Sequence, residues 1–350
     1  MSLKAIAQEL GISITTVSRG LNGYSDVAEH TRQLIMATAE ARGYLPNASA
    51  RRLKMGRTDA VGLVYPMTAS ALYDPSLLEI VGALTGALAN FNIDLLMVSD
   101  TEHSGQFPYI RLMESRRVDA LIVADTQEDD SRINYLAAKG HPFLALGRCN
   151  LATPYAWFDF DCENASRLAV KHLIAAGHKH IAYLGGKDNL AFINQRRQGF
   201  LQEMQEAGLA VDQSCVLSTT MNRCGGYNAM QALINHPHRP TALLVDNSMI
   251  GDGALTAMQD AGLVPGKDIS VIIYDGLPPD SLLKYNVTFV QLSTTAVIGK
   301  QISDMVVALI NGESPEKLQV LWQAKIILGD TVSPPIRSHI PFSFLINPRS

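Results

Sequence analysis

The sequence predicts a mixed α/β protein, with a small all-α head followed by two doubly wound parallel-sheet lobes. Three observations predict it. Residues 1–45 show short helix patterns broken at glycines. From Asp59 onward, short apolar runs alternate with helix-length segments across short connections, the mark of parallel sheets covered by helices on both faces. Charge divides along the same line. Residues 1–57 carry eight Lys/Arg and four acids, a net +4, and since the whole chain carries −4 the remainder carries −8. A basic head on an acidic body suits phosphate binding at one end and solubility elsewhere.

At 350 residues the chain has room for two or three domains, and 47% apolar residues supply a large core. No stretch approaches the ~18 apolar residues of a membrane span, and the first residues lack the pattern of a secretory leader. The four cysteines (Cys149, Cys162, Cys215, Cys224) show no CxxC spacing, so idle thiols in a cytoplasmic protein are expected, with no metal and no cofactor.

In the head, Ser2 is placed to cap a helix over about 3–10 whose inner face is Leu3, Ile6, Ala7 and Leu10. Gly11 breaks it. Ser13 is placed to cap a second helix to about Leu21, with Val17 and Leu21 inward and Ile14, Thr15, Thr16, Ser18 and Arg19 on the polar side. That is the layout of a helix-turn-helix, whose second helix enters a DNA major groove. Asn22-Gly23 ends it. A third helix over about 29–42 carries Leu34, Ile35, Ala39 and Ala41 and stops at Gly43. After Tyr44, the segment from Asn47 to Met55 is basic and helix-capable but too short to be stable alone. Arg51 and Arg52 can meet phosphates there, and Leu53 can wedge between base steps in a minor groove.

The string A-x-x-x-G-I-S-x-x-T-V-S-R-x-L-N-G, then Thr31-Arg32, then G-Y-x-P-N-A-x-A-R-x-L, resembles the lactose-repressor family of bacterial regulators. The resemblance covers the whole head. It implies that Ile14 and Thr15 read bases, that Thr16, Ser18 and Arg19 contact phosphates or bases, and that Asn22 and Tyr44 anchor the backbone. It also implies that Ala50 and Leu53 are hinge residues facing the minor groove. The DNA-contacting set expected is Ser2, Leu3, Ser13, Ile14, Thr15, Thr16, Ser18, Arg19, Asn22, Tyr44, Asn47, Ala50, Arg51 and Leu53. Two positions depart from the pattern. Gly20 stands where a β-branched residue is usual, which would loosen the second helix by roughly 1 kcal/mol. Ala28 replaces the usual serine cap of the third helix.

Through the body, strands are expected at 60–66, 93–100, 119–125, 141–147, 180–186, 215–219, 242–247 and 270–275, with helices between them. Helix 295–311 would return to the first lobe and strand 320–328 to the second. The chain would cross between lobes near Asp161, Gln291 and Leu321. Expected boundaries are therefore a head at 1–45 and a hinge at 46–57. A first lobe would take 58–160 and 292–320, a second lobe 161–291 and 321–336, and a tail 337–350.

Ligands of doubly wound sheets bind beyond the carboxyl ends of the strands. Asp100, Asp125, Arg148, Asp246, Asn247 and Asp275 fall there, and Tyr73, Trp157, Phe158 and Phe160 add rings. Polar groups for hydroxyls beside rings for an apolar face suit a sugar. AVKHLIAAGHKHIAYLGG, RRQGF, PTALLVDN and DISVIIYD also resemble the effector-binding core of the same family, which implies a periplasmic-binding-protein-like fold. By that resemblance Tyr73, Asp74, Arg148, Phe160, Arg196, Asn247 and Asp275 bind the effector, with Trp157 expected beside them as a stacking ring, and Gly147 replaces an acid seen in other members.

The function expected is a homodimeric, sequence-specific DNA-binding regulator, a repressor of carbohydrate-use genes. Its partners would be near-palindromic double-stranded operator DNA and a small effector, a mono- or disaccharide, with no membrane. The alternatives are a regulator answering to a purine or other non-sugar effector, and a sugar-binding protein without DNA function. An enzyme gains little support, since the chain has no GxGxxG after a strand, no P-loop and no GxSxG elbow.

Overall fold

The computed structural model describes residues 2–21, 24, 26–44, 56–66, 75–101, 107–187 and 189–335. Two compact units emerge, Met1–Asp59 and Ala60–Ser350. Asn22, Asn47, Ala50, Arg51, Leu53, Tyr73 and Asp74 lie outside the described residues, as does the tail.

The head contains α1 (Leu3–Leu10), α2 (Ile14–Leu21) and α3 (Glu29–Ala41). Its core is Ile6, Ala7, Val17, Val27, Ile35 and Ala39, with Leu3, Leu10, Leu21 and Tyr44 packed at the margin. Leu34 on α3 is 48% exposed, while Val27 from the loop before α3 is buried in the core. One expectation fails. Ser2 occupies the cap position of α1 but its hydroxyl makes no capping bond. Gly11 closes α1 with φ +64°, a turn that glycine adopts at no steric cost.

In the second unit the first sheet has the order β11-β5-β4-β3-β1-β2. These strands are β1 (Ala60–Tyr65), β2 (Asp94–Ser99), β3 (Ala120–Val123), β4 (Phe143–Leu146), β5 (Ala156–Phe160) and β11 (Gln319–Trp322). All five pairings are parallel. The helices linked to it are α4 (Pro75–Ala89), α5 (Pro108–Glu114), α6 (Ser131–Lys139) and α11 (Thr295–Ile310). The second sheet has the order β12-β10-β9-β8-β6-β7. Its strands are β6 (Ile181–Gly186), β7 (Val216–Thr219), β8 (Ala242–Val245), β9 (Ser270–Tyr274), β10 (Thr288–Gln291) and β12 (Lys325–Ile327). Only the β10–β12 pairing is antiparallel. Its helices are α7 (Cys162–Ala175), α8 (Ala191–Glu206), α9 (Arg223–Ile234) and α10 (Ser248–Asp260). Each sheet buries apolar residues on both faces, which is why β1, β3, β6, β8 and β9 read as continuous apolar runs.

The expected strand over 320–328 is two strands in two different sheets. β11 lies beside β5, β12 beside β10, and the crossing falls between Trp322 and Lys325 rather than near Leu321. Leu321 and Trp322 therefore belong to the first sheet. Hydrogen bonds hold this crossing to the one at Asp161. The Asp161 amide donates to the Trp322 carbonyl at 2.9 Å, and Gln323 Nε2 donates to Asp161 Oδ2 at 3.1 Å. Asn164 Nδ2 in turn donates to Gln323 Oε1 at 3.1 Å. An unbroken sequence pattern does not reveal such a switch, because both halves have the same β-rich composition. β5 and β10, which the sequence reading did not name as strands, complete the two sheets.

α9 and α10 pack backbone to backbone. A Cβ at Gly226 would stand 2.0 Å from the Ile250 carbonyl oxygen, and one at Gly253 would stand 1.9 Å from that of Arg223. These glycines set the approach of the helices on one face of the second sheet. Among the described residues, no helix is long and apolar enough to cross a membrane.

Candidate functional site

In the head, Ser13 does cap α2. Its Oγ accepts from the Thr16 amide at 3.0 Å and lies 2.8 Å from Thr16 Oγ1. Ile14 is 46% exposed and Thr15 is exposed beside it. This leaves an apolar and a hydroxyl side chain on the first turn of α2, the turn from which a helix-turn-helix generally reaches the major groove. An aliphatic chain there can meet a thymine methyl but cannot hydrogen-bond a base. Ser18 and Arg19 are half-buried. Arg19 pairs with Asp26, its Nε 3.1 Å from Oδ1, and its guanidinium lies 5.0 Å from the Tyr24 ring centre. Arg19 is thus held against its own loop, which fixes where its remaining N–H groups point.

Gly20, expected to be a loose spot, is a packing site. Gly20 is buried, and a Cβ there would stand 2.6 Å from Ile35 Cδ1. The Ile35 side chain takes the space that a branched residue at 20 would fill. Ala28, as expected, gives α3 no side-chain cap. Arg32 ties that junction instead, donating to the Tyr24 carbonyl at 2.9 Å and the Val27 carbonyl at 3.3 Å.

In the second unit a cleft of about 540 Å³ opens beyond the carboxyl ends of β4, β5 and β9. Its rings are Phe158, Phe160, Phe192 and Phe289, and its charged walls are Glu79, Asp159, Arg196 and Asp275. Arg196 is only 5% exposed. Its guanidinium stacks 4.0 Å from the Tyr274 ring centre and 4.8 Å from that of Phe192, and Nη1 donates to the Asp246 carbonyl. Its Nε has no partner among the described residues. Burial opposes its charge, but Cys162, Tyr274, Asp275 and Asp246 around it outweigh burial and raise its pKa. It therefore stays a cation at the cleft wall.

Asp275 follows β9 with φ +60°, a left-handed conformation that aspartate tolerates better than most residues. The turn leaves its side chain exposed in the cleft. Phe160 forms the opposite wall and meets Phe158 edge to face at 5.3 Å.

The remaining expected residues stand differently. Trp157 does not line the cleft. Along β5 the side chains alternate, so Phe158 and Phe160 pack with one core and Trp157 with the core on the other face. Arg148 is not in the lining either. It reaches back along the sheet, its Nε 2.8 Å from Asp159 Oδ2 and its guanidinium 5.6 Å from the Trp157 ring centre. Asn247 caps α10, its side-chain oxygen accepting from the amides of Met249 at 2.9 Å and Ile250 at 3.1 Å, and the neighbouring Ser248 is the residue that lines the cleft. Asp246 is fully buried and accepts from Tyr183 Oη at 2.9 Å and the Gly186 amide at 3.2 Å, so it braces the sheet. Asp100 binds Arg132, which is also gripped by Asp130 through Nε at 3.0 Å and Nη2 at 2.7 Å.

Asp159, like Glu79, Phe192, Ser248 and Phe289, lines the cleft without having been a sequence candidate. Burial raises its carboxyl pKa, with the Arg148 bond working against that rise. The signal for it lay in AWFDF, where an acid interrupts an apolar strand. Gly147 closes the wall beside it at φ +110°, and a Cβ there would stand 2.1 Å from Thr126 Oγ1. An acidic side chain at that position would be strained by the backbone and would press on Thr126, and Asp159 is the acid on the neighbouring wall.

A neutral polyol suits these walls. Carboxylates accept from its hydroxyls, the guanidinium donates, and ring faces cover its C–H surface. No histidine is among the lining residues.

Comparison with known proteins agrees with both units. Residues 2–47 match the profile of bacterial regulatory proteins of the lacI family, and residues 58–326 match that of periplasmic binding proteins and the sugar-binding domain of the LacI family. The chain is 48% identical over 336 residues to the HTH-type transcriptional regulator RafR of Escherichia coli, covering 96% of this chain and 99% of that one. A crystal structure assigned as a transcriptional regulator from Yersinia pestis biovar Microtus str. 91001 is 42% identical, with a TM-score of 0.76, covering 80% of this chain and all of the other. The lac repressor dimer bound to operator and the anti-inducer ONPF shares the fold at 23% identity, with a TM-score of 0.78 over 95% of this chain and 99% of that one. The helix-turn-helix head, the two-sheet body and these matches together place the chain in the LacI family of DNA-binding transcriptional regulators.

Proposed function

We propose that this protein is a homodimeric repressor of carbohydrate-use genes, released from or fitted to its operator by a mono- or disaccharide bound in the cleft of the second unit. The carrying observation is that Arg196 and Asp275 face a ring-lined cleft of about 540 Å³ in a chain that also carries a DNA-reading head. Two heads in one dimer suit a near-palindromic operator, since protein and site then share a two-fold axis. Tyr73 and Asp74 belong to the effector set, and Asn47, Ala50, Arg51 and Leu53 to the hinge. The chain follows the domain order given above, with the lobe boundary moved to 323–324. Arg148 and Asn247 act by positioning Asp159 and α10, not by touching the sugar. The protein has no catalytic step and works in the cytoplasm, where its DNA is.

A panel of mono- and disaccharides tests this by thermal shift, since a ligand of the folded state raises Tm. The same sugars are then added to a mobility-shift assay with DNA from beside the protein's own gene. A sugar that raises Tm and also changes DNA retention is the expected result. DNA retained by no head, or changed by no bound sugar, removes the reading.

A further inference from the structure

The second sheet has a chemistry-bearing cluster at its other edge. His180 immediately precedes β6, and Cys215 immediately precedes β7, so both stand at the amino ends of parallel strands. The cleft lies beyond the carboxyl ends of the same sheet. Asp212 caps the short 3-10 turn Gln213–Cys215 that leads into β7. The ligand atoms of these three residues lie within 4.8 Å of one another. His180 Nε2 is 3.7 Å from Cys215 Sγ and 3.9 Å from Asp212 Oδ2.

The geometry points to a zinc site formed by His180, Asp212 and Cys215. Zinc bonds of about 2.3 Å to sulfur and about 2.0–2.2 Å to nitrogen and oxygen, at tetrahedral angles, put neighbouring ligand atoms roughly 3.3–3.6 Å apart. The two spacings from His180 need about half an ångström or less to reach that, and the Asp212–Cys215 pair, within 4.8 Å, closes by rotation of the half-exposed Asp212 side chain. The donors set the choice of metal. Thiolate and imidazole select a borderline ion over magnesium or calcium, and one thiolate with one carboxylate neutralises a 2+ charge.

The neighbouring bonds aim the ligands. Asp212 Oδ1 accepts from the Ser214 amide at 2.9 Å and from Ser214 Oγ at 2.5 Å, which turns Oδ2 toward His180. Ser214 Oγ also lies 2.9 Å from His236 Nε2, so a second imidazole stands one hydroxyl away. His180 is anchored through its carbonyl, which accepts from the Thr241 amide at 3.0 Å. Cys215 is wholly buried in one core of the second sheet, which excludes bulk water from one side of the site. Such outer bonds hold metal ligands in the orientation the ion requires. A bound ion would clip the edge strand β7 and its preceding turn to the start of the inner strand β6. Neither DNA reading nor the cleft uses any of the three residues.

The test uses the full-length protein stripped with a chelator, then titrated with Zn2+ against a chromophoric competitor and, separately, with Co2+. Wild type should bind one equivalent of zinc, show a thiolate-to-cobalt charge-transfer band, and melt higher with zinc than with chelator. Cys215→Ser should lose the band, and His180→Gln and Asp212→Asn should each weaken zinc by at least about tenfold. Cys224→Ser, at an exposed thiol, should match wild type. Circular dichroism of the half-exposed His180→Gln separates lost binding from lost fold. Zinc binding that is absent in wild type overturns the site. So does zinc binding that survives both Cys215→Ser and His180→Gln, or that depends on His236 and His238 alone.

Discussion

The guanidinium of Arg196 lies over the ring of Tyr274 at 4.0 Å, and this pair joins the ligand cleft to the core of the second sheet. Tyr274 is wholly buried, donates to the Cys162 carbonyl at 3.1 Å and lies 2.9 Å from Ser166 Oγ. Asp275 is the next residue. The cation at the cleft wall is therefore part of the packing that sets the backbone of its neighbouring carboxylate.

Arg196 and Asp275 should accordingly respond differently to substitution. Arg196→Ala removes a buried stack and a charged hydrogen bond to Asp246, at a cost of about 3 kcal/mol or more. Asp275→Asn keeps a residue that tolerates positive φ and should cost no more than about 0.5 kcal/mol. Urea unfolding should separate them. Both should lose the Tm rise given by the bound sugar, but only Asp275→Asn should do so from a stable protein. Equal losses of stability would contradict this division.

Gly147→Ala should destabilise the second unit by about 1–3 kcal/mol, because φ +110° is costly for any side chain. The new methyl would also meet Thr126 Oγ1, whose hydroxyl donates to the Leu146 carbonyl at 3.2 Å. Thr126→Ser leaves the hydroxyl and should give no relief. Thr126→Ala should give partial relief, the backbone strain remaining. Full recovery in that double variant, measured by urea unfolding, would mean that the contact alone is at fault.

In the head, Gly20→Val should overpack against Ile35, and Gly20→Ala combined with Ile35→Val should fit. The second combination gains roughly 1 kcal/mol of helix propensity, offset in part by the roughly 1 kcal/mol lost in shortening isoleucine. Operator affinity should fall in Gly20→Val and stay within about threefold in the double variant, read by fluorescence anisotropy. A Gly20→Val protein with unchanged affinity would show that Ile35 yields freely.

His178 should give the body an acid-sensitive step. Its Nε2 donates to the Ser333 carbonyl at 2.9 Å, and Nδ1 is 3.0 Å from Thr241 Oγ1. Burial lowers its pKa below the ordinary 6.5, against the opposing effect of the Ser333 bond. The folded state thus prefers the neutral ring. The stability this gives is whole above 6.5 and is lost as pH falls from 6.5 through the lower native value. Tm followed from about pH 8 to about pH 5 should drop more steeply in wild type than in His178→Gln. Parallel curves would contradict it.

Much of this architecture was legible in the chain. The head could be read because glycine, capping serine and apolar spacing coincide over short segments, and because three blocks agree with one family in order and spacing. The alternation of strands and helices followed from period alone. What stayed hidden was non-local. Whether residues 319–327 form one strand or two depends on which sheet edge is free, and β5 supplies one such edge 162 positions earlier at Trp157–Phe160. In the head, Val27 joins the core from the loop before α3 while Leu34 stays exposed, and no helical period marks a loop residue as buried. In the cleft, Arg196, Asp275 and Phe160 were found by family pattern. Asp159 was missed because its bond to Arg148 turns an apparent ligand arginine into its holder. Trp157 was misplaced because adjacent aromatics on a strand face opposite sides.

On the proposed reading, a sugar in the cleft governs the grip of the head on DNA. The most direct measurement is operator affinity by fluorescence anisotropy, with and without the sugar that raises Tm, for wild type and Asp275→Asn. Wild type should change affinity with sugar, while Asp275→Asn should bind operator with wild-type affinity and ignore the sugar. Linkage requires that operator weaken or strengthen sugar binding by the same factor. An Asp275→Asn protein that still responds at wild-type sugar concentration, or a wild type whose affinity no bound sugar alters, would rule out control of the head through the cleft.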